Sequence, residues 1–169
     1  SITLDNHGNR YTAKQRNTTK IDFNNPSKIG DKLSITKTFN AGEKFDFTQF
    51  DYEIPVGHSG FKAFASASRL EFEIGKELKT NPVSLGNADT IEVGVKYPIQ
   101  RTNNQSVFLK TSIEKKEIYN ETTGVLTNDK TLENAKIGLD FEGKNIFQDS
   151  SLTGVSVSGI FGDLDLSKV

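Results

Sequence analysis

Apolar and polar residues alternate in five runs of roughly 7 to 11 positions between Phe50 and Phe161, each run ending in a turn-forming cluster. The clearest run is Phe64-Ala-Ser-Ala-Ser-Arg-Leu-Glu-Phe-Glu-Ile74. Leu70, Phe72 and Ile74 fall in one phase; Arg69, Glu71 and Glu73 fall in the other. A β-strand has a side-chain period of two, so such a segment has one dry face and one charged face. No helix is predicted. Asn, Gly, Asp and Pro punctuate the chain at short intervals, as in all-β proteins.

The pattern predicts nine strands, at residues 1–5, 10–23, 32–39, 45–54, 61–75, 90–97, 106–119, 131–143 and 151–161. Turn or loop chemistry separates them at 6–9, 24–31, 40–44, 55–60, 76–89, 98–105, 120–130 and 144–150, and 162–169 reads as a tail or a cut strand. Thr48, Phe50, Tyr52 and Ile54 share one phase, as do Ile91, Val93, Val95 and Tyr97. Further on, Val107, Leu109 and Ile113 repeat the pattern, then Ala135, Ile137, Leu139 and Phe141. Phe45 and Phe47 are out of phase with Phe50, which implies a bulge or inward-facing aromatics. Each strand joins the next by a local connection. The fold class is therefore all-β, an up-and-down antiparallel meander.

Composition bears on what the apolar face touches. Only 34% of the 169 residues are hydrophobic, against ~45–50% apolar in typical soluble domains. A closed soluble core wants more. A large barrel with a polar interior does not, because half of each strand faces water. Basic and acidic residues number 21 and 22 and no run of like charge occurs, so nucleic acid and a polybasic membrane patch find no support. Cysteine is absent, which excludes a disulfide scaffold, thiolate zinc and thiol catalysis. Methionine is absent even at position 1 and no signal peptide is seen, so the chain reads as a mature or excised segment. No apolar run reaches the ~18 residues of a transmembrane helix, which leaves a membrane barrel open.

From the middle onward the connections alternate in length: 55–60 short, 76–89 long, 98–105 shorter, 120–130 long, 144–150 short. Outer-membrane barrels combine short periplasmic turns with longer outside loops, which would put 76–89 and 120–130 on the cell surface. Strands of about 9–11 residues suit a tilted membrane crossing. Soluble strands average ~5–6.

Four connectors carry a resemblance. Leu4-Asp-Asn-His-Gly-Asn-Arg-Tyr-Thr12 resembles the Asp-Asn-x-Gly-x-Arg-x-Thr-Gly opening of the barrel in two-partner secretion transporters of the haemolysin secretion/activation family, with Ala13 where that family has Gly. Asn25-Pro-Ser-Lys-Ile-Gly-Asp-Lys-Leu33 resembles its next turn. Tyr52-Glu-Ile-Pro-Val-Gly-His-Ser-Gly60 and Tyr97-Pro-Ile-Gln-Arg101 are similar to two further turns, in matching order. The resemblance implies part of a sixteen-stranded transmembrane barrel in the outer membrane. It implies that these later turns lie at the periplasmic rim and that 6–9 lies outside. It also implies that residues 1–169 are a single barrel segment, without the family's two periplasmic transport-associated domains, its C-terminal barrel half or its inward-folded Val-Arg-Gly-Tyr loop. The expected partners are an unfolded exported polypeptide of haemolysin or adhesin type and the lipid bilayer, with no nucleic acid and a monomeric barrel.

On this reading Arg69, Glu71, Glu73, Glu92, Lys96, Lys110, Glu114, Lys136, Asp140 and Glu142 line a hydrated pore. Phe50, Tyr52, Ile54, Leu70, Phe72, Ile74, Ile91, Val93, Val95, Leu109, Ile113, Ile137, Leu139 and Phe141 face lipid. A Lys or Arg at the lipid midplane costs about 2–4 kcal/mol, so the exceptions Lys37 and Lys115 are expected near a rim. Tyr52, Tyr97, Tyr119, Phe39 and Phe141 read either as girdle aromatics or as ordinary strand residues. His7 and His58 sit in turns and match no metal or triad spacing. Glu71 and Glu73 could be read as a hydrolytic carboxylate pair, but interleaved lysines suit a mixed-charge wall better. No enzyme activity and no cofactor are expected. Two alternatives stay open: a small complete eight-stranded outer-membrane barrel with an adhesive or structural role, its last strand on its first, and a soluble β-sandwich binding module, its Leu70/Phe72/Ile74 face packed on a second sheet.

Overall fold

A computed structural model describes residues 1–5, 15–40, 45–74, 84–122, 125–144 and 151–165. They form β1 (Ile2–Asp5), β2 (Arg16–Asn24), β3 (Lys32–Phe39), β4 (Phe45–Pro55), β5 (Lys62–Ile74), β6 (Ser84–Arg101), β7 (Gln105–Thr122), β8 (Val125–Lys144) and β9 (Leu152–Asp165). All nine join one sheet in chain order, each neighbouring pair antiparallel. This is the expected meander. β1 and β9 lie at opposite edges, and no second sheet exists among the described residues. Neither the closed eight-stranded barrel nor the sandwich has this arrangement.

The strands outrun their alternating segments. β6 and β7 have 18 residues each and β8 has 20. Residues 84–89 of the expected long loop 76–89 are strand, and most of the expected loop 120–130 is two strand ends in register. A long-short rhythm of loops is thus largely a rhythm of strand overhangs. The reason is that an overhang wetted on both faces needs no hydrophobic alternation, because its backbone ladder suffices. Asn87, Asp89, Asn120 and Asp129 therefore read as loop although they pair as strand. β9 likewise continues to Asp165 opposite Thr131. The expected turn 98–105 contracts, since β6 runs on through a register shift between Pro98 and Gln100. Pro98 has no N–H to give the ladder, and a bulge accommodates it. The predicted turn 6–9 with His7, and residues 10–14 of the predicted second strand, lie outside the described residues.

Register assigns the faces, because directly paired residues project to the same side. Ile21, Ile35, Phe50, Ala67 and Ile91 align across β2 to β6 on one face. Along β5 to β8 that face is the more exposed of the two; the opposite positions are half-buried. On the sheltered face side chains reach across an intervening strand: Arg16 of β2 stacks 4.3 Å from the Phe45 ring of β4. The sheet is curled with this sheltered face inside. Phe45 and Phe47 lie on it in unbroken register with β5, and Phe47 also with Thr38 of β3, so they face inward and no bulge is involved.

Candidate functional site

The outer face divides into two zones. Next to the turns that follow β2, β4 and β6 it is apolar. In register along it stand Ile54, Ala63 and Val95; Tyr52, Ala65, Val93 and Ile113; Leu109, Leu139 and Val157; and Ile137 with Thr111 and Gly159. Phe141 aligns with Val107 and Val155. Many of these are widely exposed, Ile113 at 64% and Val157 at 68%. The belt is about seven residues deep on β6 to β9, roughly 20 Å along the strand. It ends abruptly. The next outward position is Lys37 on β3, Thr48 on β4, Arg69 on β5, Asp89 on β6, Lys115 on β7, Glu133 on β8 and Asp163 on β9. Lys37 and Lys115 thus take the first outward position beyond the belt on their strands, Lys115 pairing with Ile91 of the belt.

The inner face is polar where the outer one is apolar. Ser66, Glu92, Glu114 and Asn134 make one row; Lys62, Lys96 and Lys110 make another. Lys136 Nζ lies 2.5 Å from a Glu114 carboxylate oxygen and 3.4 Å from one of Glu92 on the strand beyond. Asn134 donates to Glu114 at 2.9 Å, and Lys110 approaches Glu92 at 3.7 Å. Glu92 and Glu114 side chains are only 16% exposed. The lysines also cover rings: Lys96 Nζ is 4.1 Å from the Phe108 centroid and Lys110 Nζ 4.5 Å from that of Phe64. Ser156 donates to Asp140 at 2.6 Å, while Glu142 lies exposed beside the turn end. The wall is charged, of mixed sign and internally paired.

β5 needs a correction. Arg69, Glu71 and Glu73 are in register with Asp89, Asn87 and Leu85 on the outer face, beyond the belt. Leu70 and Phe72 share the inner face with Glu92, Lys96, Lys110, Glu114, Lys136, Asp140 and Glu142. Ile74 ends β5 opposite Ser84. The alternation of β5 is real, but its phase reverses where the strand leaves the belt. Within the belt its outer positions are Ala63, Ala65 and Ala67, too small to dominate a hydrophobic pattern. Beyond it the polar phase is outside. Phe50, Tyr52, Ile54, Ile91, Val93, Val95, Leu109, Ile113, Ile137, Leu139 and Phe141 stand together on the outer face.

Three of the quoted connectors meet at the belt's turn end. The β2–β3 turn has left-handed residues at Asn25, Lys28 and Gly30, with φ of 60°, 62° and 85°. Asp31, buried there, accepts hydrogen bonds from the Tyr52 hydroxyl at 2.8 Å and the Ser27 N–H at 3.1 Å. Burial pulls the Asp31 carboxyl up, but the bonds from Tyr52 and Ser27 outweigh it and hold it below its ordinary value. Gly30 abuts Pro55, and Gly60, at φ 78°, abuts Pro98. Phe61 and Tyr97 rings meet at 6.4 Å. His58 lies exposed in the β4–β5 turn. Among the described residues no three His, Cys, Asp or Glu are grouped to hold a metal ion.

Sequence reasoning passed over Gly86 and Gly94. A Cβ at Gly86 would stand 2.6 Å from Phe72 Cε1, and one at Gly94 2.6 Å from Phe64 Cζ, so each glycine seats an aromatic ring of β5 on the inner face. The signal was an isolated Gly in a strand pattern.

Comparison with known proteins places these features. The family described as Haemolysin secretion/activation protein ShlB/FhaC/HecB matches residues 1–157. The heme/hemopexin transporter protein HuxB of Haemophilus influenzae strain 86-028NP is 24% identical over 164 residues, covering 96% of this chain and 28% of HuxB. The chain thus spans little more than a quarter of that relative's length. CdiB from Escherichia coli superposes with a TM-score of 0.76 at 16% identity, over 96% of this chain and 31% of CdiB. CdiB from Acinetobacter baumannii does so at 0.70 and 14%, over 89% and 29%.

Proposed function

The chain belongs to the haemolysin secretion/activation protein family, whose members are outer-membrane β-barrel transporters, and from that membership we propose that its sheet is one arc of the wall of a polypeptide-exporting pore. The outer apolar belt faces lipid. The inner face, with Glu92, Lys96, Lys110, Glu114, Lys136, Asp140 and Glu142, faces a hydrated channel. The observation that carries this is the pairing of an exposed apolar belt with a mixed-sign wall on opposite faces of one curled meander.

A paired, mixed-sign wall can hydrogen-bond a passing unfolded chain without trapping one charge type. Arg69, Glu71 and Glu73 have no part in it. They belong to the outer surface above the bilayer, with the turn end at the periplasmic rim. Residues 1–169 act as a single barrel segment, and further strands of a longer parent close the ring beyond β1 and β9. The parent works as a conduit for a haemolysin- or adhesin-type partner, without enzymatic chemistry, as a monomeric barrel. Reconstituting the full-length parent in liposomes tests the reading. Channel conductance and protease-protected uptake of the partner exoprotein are expected; a parent that inserts yet gives neither rules it out.

A further inference from the structure

We propose that Lys37, Arg69 and Lys115, along the border of the belt, bind phosphorylated headgroups of outer-leaflet lipid. The proposal rests on the reading that the belt faces lipid, and it begins with position. Register puts these three, and no other Lys or Arg of the described strands, on the outer face. Each occupies the first outward position beyond the belt on its own strand: Lys37 next to Ile35, Arg69 next to Ala67, and Lys115 next to Ile113, where it pairs across with Ile91, so that the border steps by two residues between β6 and β7. They stand on every second strand, β3, β5 and β7. At ~4.8 Å per strand, consecutive cations are about 10 Å apart across the sheet. The inner face shows no such restriction: Arg16, Lys20, Lys62, Lys96, Lys110 and Lys136 are spread along it.

Each cation also has an acid beside it, in its own row or one row further from the belt. Lys37 pairs with Asp46 and donates to Thr48 Oγ1 at 2.9 Å. Arg69 lies 2.8 Å from Glu71 and 3.7 Å from Asp89; Lys115 lies 2.9 Å from Glu117. These acids hold the cations at the boundary without covering them, since their side chains remain 43%, 59% and 54% exposed. Exposed pairs of this kind add little stability by themselves, so stability alone does not explain why every outer-face cation of the described strands sits at the belt's border. A phosphate approaching along the belt would give each cation a charge-assisted bond. Long basic side chains suit this place because their stems lie on apolar surface while the charge stays at headgroup level. Continuity with the belt selects a lipid phosphate over a free one.

The test uses the full-length parent in detergent, titrated with lipopolysaccharide and read by native mass spectrometry. Parallel titrations use dephosphorylated lipopolysaccharide and inorganic phosphate. The parent is expected to retain the intact lipid and lose it when dephosphorylated. The K37Q/R69Q/K115Q variant is expected to bind about tenfold more weakly, whereas K20Q/K32Q/K62Q, which removes the same charge from the inner face, binds as the parent does. If the outer-face triple does not fold, each single variant, checked for folded electrophoretic migration, is expected to bind about two- to threefold more weakly. Equal affinity of the outer-face variants and the parent overturns the proposal. So does undiminished binding of the dephosphorylated lipid, or full displacement by inorganic phosphate. A parent that stays soluble without detergent would instead refute the lipid-facing belt, a result separate from any loss of lipid binding.

Discussion

Lys136 carries the charge balance of the inner wall, because two largely covered glutamates, Glu92 and Glu114, turn toward its one ammonium. Replacing it with methionine leaves both without their shared partner. Breaking a fully buried pair costs ~3–5 kcal/mol; with Lys136 a quarter exposed, discounting for solvent leaves about 1–2 kcal/mol. Equilibrium urea unfolding of the Lys136→Met parent should show that loss, and its channel should become more cation-selective, read as a shift in reversal potential. Asp31 gives a prediction in pH. Its carboxyl titrates lower when folded than when unfolded, so its stabilisation is complete above the ordinary Asp value of ~4 and fades as the pH falls through and below it. Asp31→Asn should therefore lower the unfolding midpoint at pH 7 and lose that effect toward pH 2. If the gap between the two proteins stays constant across that range, Asp31 is not held by ionic hydrogen bonds.

Single strands carry two kinds of information, and only one is a hydrophobic pattern. The alternation of β6, β7 and β8 within the belt was legible because large aliphatic residues mark the outer phase. β5 misled, because Ala63, Ala65 and Ala67 mark the belt weakly while Leu70 and Phe72 mark the opposite face beyond it. The overhangs of β6 to β8 were illegible for a related reason: backbone pairing in water leaves no imprint on side-chain polarity. Gly86 and Gly94 show how strands fit one another. At Gly86 the three nearest obstacles to a Cβ are all atoms of the Phe72 ring, which can swing inward. At Gly94 the Thr111 carbonyl and Ser112 Cβ also stand in the way, and they cannot. Gly94→Ala should thus cost about 1–3 kcal/mol, and Gly86→Ala clearly less. Comparing their denaturation midpoints checks the order, and equal losses would contradict it.

Across the whole sheet the outer face has a sharp upper border, and that border makes a paired prediction. Ile113→Lys, inside the belt, should destabilise the parent by about 2–4 kcal/mol in liposomes. Glu117→Lys, four residues along the same face and beyond the border, should change little. Similar losses at both would mean that the border is not a membrane boundary. The meander itself was legible, since connections local in the chain favour pairing of successive strands. Which strands close the ring was not, because β1 and β9 each offer an edge with no partner among the described residues. The strictly sequential pairing has one more consequence. Among the described residues no strand pairs with any but its chain neighbours, so removing β5 and β6 together would bring β4 against β7 in the same antiparallel sense. Every other pairing would stay intact, and the girth would shrink by about 10 Å. The bore of such a vessel is a count of hairpins, and gene duplication or loss of one hairpin can regauge it without redesigning the rest.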